Sequence, residues 1–231
     1  MKSQKVFVLG DIHGAFRGLI QCLARAEFDY ENDHLIFLGD VCDGWSETAL
    51  CIEELLKIKH LIYVLGNHDL WAIDWAMNGN KPEIWLRQGG QATVDSYPDG
   101  MPESHLKLLR TAFHYYLSGE KLFVHAGIKV DIPLEQQDQD IFLWDRSLYN
   151  LVTRLKNQGE EINLSPYQEI YIGHTPTTNM GIYHPINACN VWLMDTGAGW
   201  DGSLSMMNIS TKECFQSDRI KDLYPREKGR S

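Results

Sequence analysis

Leu35-Ile36-Phe37-Leu38-Gly39-Asp40-Val41-Cys42-Asp43-Gly44, residues 35–44, sets two carboxylates between two glycines directly after an apolar run. Four apolar residues in a row read as a buried strand. The same arrangement recurs along the chain. Val6–Leu9 runs into Gly10-Asp11-Ile12-His13-Gly14, and Leu61–Leu65 into Gly66-Asn67-His68-Asp69. Leu122–Val124 is followed by His125-Ala126-Gly127, and Ile170–Ile172 by Gly173-His174-Thr175. Successive strand ends thus deliver Asp, His and Asn side chains, and open α/β sheets bind ligands beyond the carboxyl ends of their strands. The neighbouring glycines let the backbone turn sharply and approach a ligand closely.

Helical patterns separate the first three strands. Leu19, Ile20, Leu23 and Ala24 share one face, as do Ala49, Ile52, Leu55 and Leu56, the second group following Ser46 as a candidate N-cap. Strand, helix, strand, helix, strand implies a right-handed, mainly parallel α/β start. Further helices are expected over Pro102–Leu117 and Arg146–Asn157, a further strand at Val191–Met194, and a β-meander over Ser203–Ile209 and Glu213–Gln216. The stretch 81–100, with Gly89-Gly90 and Pro98-Asp99-Gly100, has no period and reads as an irregular loop. No repeat or linker divides the chain. One domain over residues 1–231 is expected, with its core at about 5–217 and a tail over 218–231.

At 231 residues and 44 % hydrophobic composition, the chain can bury a substantial core. A formal net charge of −10 without a basic stripe argues against a duplex nucleic-acid binder. It leaves phosphate chemistry open, because bound cations supply charge that composition does not count. No stretch is long and apolar enough for a bilayer span, and Met1–Lys5 carries no signal-peptide core. The five cysteines form no CxxC pair and read as reduced thiols, so a cytoplasmic location is expected.

Oxygen and imidazole ligands suit manganese, iron or zinc. Asp11, His13, Asp40, Asn67, His125 and His174 are enough for two divalent metal ions, with manganese the first choice. Asp40, whose carboxylate has two oxygens, is the natural bridge. Two such ions about 3.5–4 Å apart activate water and stabilise both oxygens of an in-line displacement, which is the chemistry of phosphoester hydrolysis. Taken singly, each residue has a plainer reading: a surface histidine at a strand end, a Gly-Asp turn, or Asn67–Asp69 as a helix cap. Five in succession favour the metal site.

GDIHG (10–14), GDVCDG (39–44), GNHD (66–69), HAG (125–127) and GHT (173–175), in this order, resemble the calcineurin-like metallophosphoesterases. The likeness is greatest to the serine/threonine phosphoprotein phosphatase branch in its small prokaryotic and phage form. It runs from about Val6 to about Met207 and includes Met194-Asp195-Thr196-Gly197, similar to that branch's Asp-Thr-Gly segment. The resemblance implies an α/β fold, a four-layer α/β/β/α sandwich with two central mixed β-sheets and the metals at the sheet edge. It implies Asp11, His13 and Asp40 on one metal, and Asp40, Asn67, His125 and His174 on the other. His68 falls where the family keeps its general acid and Asp43 where an aspartate orients that histidine. Arg146, in Trp144-Asp145-Arg146, and Asn67 fall where the substrate phosphate is bound. The implied reaction is in-line attack by a hydroxide held between the metals, on phosphoserine, phosphothreonine or small phosphoesters.

Gly44 departs from the pattern. The branch reads GDxxDRG, and the arginine after the second aspartate grips the phosphate; glycine offers no such fork of donors. Arg87 is either a substitute clamp or a solvated loop residue. Trp45 either packs inside or, if exposed, stacks on a nucleobase. The related symmetrical dinucleoside tetraphosphate hydrolases share Gly-Asn-His-Asp-Leu, found here at 66–70, but tend to lack the aspartate found at 43, and they stand as the alternative. A scaffold that has lost catalysis is a third reading, supported by Gly44 alone. Trp71, Ile73 and Trp75 read as core or pocket wall, Cys42 as a bystander, and Glu135–Asp140 as a solvated acidic loop. His34, His60, His105, His114 and His184 match no motif.

Overall fold

The computed structural model describes residues 4–230. Its strands are β1 (Val6–Leu9), β2 (His34–Phe37), β3 (His60–Tyr63), β4 (Tyr115–Ser118) and β5 (Lys121–Val124). They continue with β6 (Glu169–Ile172), β7 (Ile186–Ala188), β8 (Val191–Leu193), β9 (Ser205–Asn208) and β10 (Cys214–Gln216). Two mixed sheets result, ordered β10-β9-β1-β2-β3 and β4-β5-β6-β8-β7. β1, β2 and β3 are parallel, as are β5, β6 and β8, while β9, β10, β4 and β7 add antiparallel edges.

Side chains alternate across each strand, and both faces find apolar partners. Phe7, Leu9, Leu35 and Phe37 pack with Leu19, Leu23, Ile52 and Leu55 of the helices α1 (Phe16–Arg25) and α2 (Thr48–Leu55). Val8, Ile36 and Leu38 point the other way and meet Phe123 and Tyr171 of the second sheet and Met194 just past β8. Leu122, Val124, Ile170 and Ile172 then turn outward onto Leu148 and Val152 of the helix Ser147–Gln158. The layers are therefore α/β/β/α, and double burial is why the central runs carry no polar alternate.

The register positions the loops. Val6 pairs with His34 and His34 with His60, so β1, β2 and β3 end level at Leu9, Phe37 and Tyr63. Their carboxyl-end loops leave on one edge, and β5 brings His125 to the same edge, where its Nδ1–H donates to Leu38 O at 2.7 Å.

Several local expectations change. Pro102–Leu117 is not one helix: helix covers Glu103–Arg110, and Tyr115–Ser118 is edge strand β4, joined to β5 by a two-residue turn with Gly119 at φ +59°. The irregular stretch is largely helical, with Glu83–Trp85 and Gln91–Asp95 on either side of a kink at Gly89 (φ +105°). Ser46 does not cap α2; its N–H and hydroxyl both donate to Glu227, at 3.1 and 2.9 Å. Nor do residues 218–230 stand off the core, since Ile220 and Tyr224 are buried against it.

Candidate active site

Four side chains at this edge spring from residues with positive φ: His13 (+51°), Asp40 (+58°), Asp43 (+71°) and His174 (+64°). Such left-handed positions cost non-glycine residues about 1–3 kcal/mol each and persist only where their surroundings enforce them. Asp69 enforces the turn at Asp40. It sits in the first turn of α3 (Asn67–Asn78), and its carboxylate accepts the N–H groups of Asp40 (2.9 Å), Val41 (3.0 Å), Cys42 (3.3 Å) and Gly66 (3.1 Å) and the Tyr63 hydroxyl (3.0 Å). Gly66 and Gly173 let the carboxylates press against the backbone. A Cβ on Gly66 would lie 2.1 Å from Asp40 Oδ1, and one on Gly173 2.2 Å from Asp11 Oδ1.

The side chains converge in two overlapping groups. Asp11, His13 and Asp40 form one, and Asp40, His125 and His174 the other, each with potential ligand atoms within 4.8 Å of one another. Asp40 belongs to both. His13 Nδ1–H donates to Cys42 O (2.9 Å) as His125 Nδ1–H does to Leu38 O, which fixes both tautomers. Each Nε2 then faces Asp40 Oδ2, at 3.8 Å from His13 and 3.4 Å from His125. Asn67 Oδ1 lies 3.0 Å from His125 Nε2 and 2.9 Å from His174 Nδ1. The backbone N–H groups of His174 and His68 donate to Asp11 Oδ2 and Asp40 Oδ1, both at 2.9 Å.

Burial dominates the electrostatics. It pushes the Asp11 carboxyl well above its usual range, reinforced by Asp195, and pulls His13 and His174 well below theirs. Burial would lower His125 too, but the Asp40 carboxylate overrides it and raises that imidazole to about 9. Asp40, which burial alone would raise, is held well below the usual range by His125, His68 and His13 around it. Asp11 Oδ1, Asp40 Oδ2 and His174 Nε2 are buried with no hydrogen-bond partner. Orphaned polar atoms are costly in an interior. Divalent cations fit this site: its two residue groups offer oxygen and imidazole donors close together, and a cation would displace the proton that His125 otherwise holds.

Residues 4–200 match the calcineurin-like phosphoesterase family. The chain belongs to that family. It is 28 % identical over 212 residues to serine/threonine-protein phosphatase 1 of Salmonella typhimurium, covering 88 % of this chain and 91 % of that one. Over 276 residues it is 22 % identical to the symmetrical bis(5'-nucleosyl)-tetraphosphatase of Haemophilus ducreyi, covering 93 % and 99 %. A crystal structure provisionally assigned as a diadenosine tetraphosphatase shares the fold, with a TM-score of 0.68 at 16 % identity and 93 % of both chains covered. The chain is a metallophosphoesterase and hence a hydrolase rather than a scaffold.

In this phosphoesterase the sequence-predicted ligand candidates come together, and so do Asp43 and His68: Asp43 Oδ2 accepts His68 Nδ1–H at 2.6 Å. Two supporting residues were missed. Trp85 Nε1–H donates to Asp43 Oδ2 (2.7 Å), while the Thr93 hydroxyl donates to Asp43 Oδ1 (2.7 Å) and accepts Asp43 N–H (2.8 Å). Both come from the stretch at 81–100, where no period marked them. Arg146 is exposed and borders a cavity of about 540 Å³ that Asn67, His68, Trp144, His174 and Trp200 also line. Arg87 lies exposed beside Glu83, as the solvated reading expects. Trp45 is wholly buried, its Nε1–H donating to Ala198 O (2.7 Å), so it packs rather than offering a face to a base. Cys42 reaches His13 through its carbonyl. The acidic loop is solvated except for Gln137. Arg230, from the expected tail, lines the same cavity, and nothing in the sequence pointed to it.

Proposed function

We propose that the chain is a phosphomonoesterase of the serine/threonine protein phosphatase type, working in the cytoplasm. Asp11, His13 and Asp40 would hold one divalent cation, manganese by preference, and Asp40, Asn67, His125 and His174 a second. Such a pair, when bound, supplies water activated at neutral pH and neutralises charge on the phosphoryl oxygens. The chain's own residues do the rest. His68 spends Nδ1–H on Asp43, which leaves Nε2 as the atom that can hand a proton to the leaving oxygen. Trp85 and Thr93 hold the Asp43 carboxylate, so the imidazole is oriented before substrate arrives. Arg146 and the Asn67 amide offer donors to the phosphate from the cavity wall.

The observation that carries this reading is the buried Asp43–His68 pair opening on the cavity beside the ligand cluster. A leaving-group comparison tests it. With manganese supplied, His68→Asn should lower kcat on a phosphoserine peptide about 10²–10⁴-fold. The loss on p-nitrophenyl phosphate should be much smaller, because p-nitrophenolate departs without needing a proton. Equal losses on both substrates would remove His68 from the acid role. Absence of turnover on every phosphoester by the loaded protein would remove the reading altogether.

A symmetrical dinucleoside tetraphosphate hydrolase is the second reading. The Haemophilus ducreyi relative and the aromatic lining of the cavity by Trp144, Tyr183 and Trp200 favour it. Turnover of a dinucleoside tetraphosphate well above that of the phosphoserine peptide would select it.

A further inference from the structure

Residues 220–230 return to the active-site edge. Tyr224 stacks on Trp45 with ring centroids 5.1 Å apart, Glu227 accepts from Ser46, and Arg230 N–H donates to Gly199 O at 2.8 Å. Three glycines clear the way for this segment. A Cβ on Gly229 would lie 2.7 Å from the Trp45 ring, one on Gly44 3.1 Å from Arg230 Cγ, and one on Gly199 2.9 Å from Arg230 Cδ. The aliphatic stem of Arg230 therefore passes the spot where a side chain at position 44 would leave the backbone. Its guanidinium lies 4.4 Å from the Trp200 ring centroid. Nη1–H donates to His13 Nε2 (3.1 Å), Nη2–H donates to Gln88 Oε1 (3.4 Å), and Nε is buried with no partner. None of these hydrogen-bond partners is an anion. Asp40, Asp43, Asp195 and Asp11 act on this guanidinium only through space, so its donors, held by neutral partners on a cavity wall, can still be offered to an anion.

Resting on the phosphatase reading above, we propose that Arg230 binds the substrate phosphate together with Arg146, standing in for the side chain that Gly44 lacks. Both residues line the cavity that His68 enters. Gly44 has φ +128°, a conformation that itself favours glycine, and its missing side chain leaves room for the stem of Arg230, while the Trp45 indole is the platform for Tyr224 and Gly229. His13 would use Nε2 to hold a cation, and that would release Nη1–H from its contact there. Nη1–H would then be free for a phosphoryl oxygen beside Nη2–H, whose contact with Gln88 Oε1 is long at 3.4 Å.

Inorganic phosphate is the probe. Its dissociation constant for the manganese-loaded protein is measured by titration calorimetry in wild type, Arg230→Ala, Arg230→Gln and Arg230→Lys. Manganese content, and KM and kcat for p-nitrophenyl phosphate, are measured alongside. Removing a charged pair of donors should weaken phosphate at least about tenfold in the Ala and Gln variants and raise KM with it, at unchanged manganese content. Lysine should recover part of the loss, as a point charge without the fork. Phosphate affinity within about twofold of wild type would overturn the proposal. So would joint loss of manganese and phosphate, which would make Arg230 a support of the ligand cluster. A wild type that binds phosphate through Arg230 but hydrolyses no phosphomonoester would sink the phosphatase reading and leave the clamp standing, so the two fail separately.

Discussion

Asp69→Asn exchanges one atom in a buried residue, and the structure fixes what that atom must do. Oδ1 accepts the N–H groups of Val41 and Cys42; Oδ2 accepts those of Asp40 and Gly66 and the Tyr63 hydroxyl. An amide nitrogen must replace one oxygen, and it brings hydrogens to a place already full of donors. Set on the Oδ1 side, it strands two backbone N–H groups. The other side also strands two, although the Tyr63 hydroxyl could turn to accept. Each stranded buried donor costs about 1–3 kcal/mol, and the surviving bonds lose their charge assistance. The expected loss is about 3–5 kcal/mol of unfolding free energy, measured by urea denaturation at pH 7 with chelator present to keep metal linkage out. Because Asp69 holds Asp40 at φ +58°, manganese affinity should fall as well. A loss below about 1 kcal/mol, or full destabilisation with manganese affinity untouched, would refute the idea that this carboxylate locks the turn.

Thr93→Val keeps the shape and removes the hydroxyl that serves both Asp43 Oδ1 and Asp43 N–H. It should cost about 2–3 kcal/mol of stability and lower kcat about tenfold with KM little changed, since Asp43 can then drift from His68; steady-state kinetics showing an unaltered kcat would contradict this. Glu169 tests the second sheet by pH. Burial alone would raise its carboxyl, but bonds from Lys121, Lys212 and the Tyr171 hydroxyl hold it at about 2, against an ordinary value of 4.5. A depressed carboxyl stabilises the fold above pH 4.5 and loses that contribution as pH falls from 4.5 towards 2. Discounted for solvent screening, Glu169→Gln should cost about 1–2 kcal/mol at pH 7 and almost nothing near pH 2–3, read as the gap between urea midpoints. A gap independent of pH would show that the carboxylate's charge plays no part.

Much of the fold was legible because double burial leaves a mark that no local feature can imitate. Val6–Leu9, Leu35–Leu38 and Ile170–Ile172 carry no polar alternate, and each is a central strand with one face to a helix and the other to the second sheet. The edge strand β4 carries no such mark: it has polar and exposed positions, and the sequence places it in a helix that in fact ends earlier, at Arg110. The site residues were legible where each follows a strand directly. Trp85, Thr93 and Arg230 were not, because they reach the site from segments whose own sequence has no period and whose contacts span long stretches of chain.

Reading residues one at a time as either structural or functional poses a false choice in this molecule. Asn67–Asp69 does begin a helix, and Asp69 does accept the Gly66 N–H as an ordinary cap would. That same carboxylate grips the backbone of 40–42, so the helix start and the turn that presents Asp40 form one unit. Gly44 and Trp45 follow the same logic across a greater distance. Viewed alone, the glycine is a lost side chain and the tryptophan a stray aromatic. Viewed with residues 220–230, the glycine is the gap through which Arg230 passes and the tryptophan the surface on which that segment lies. A departure from a family pattern therefore has to be read together with whatever the chain brings to the space it opens.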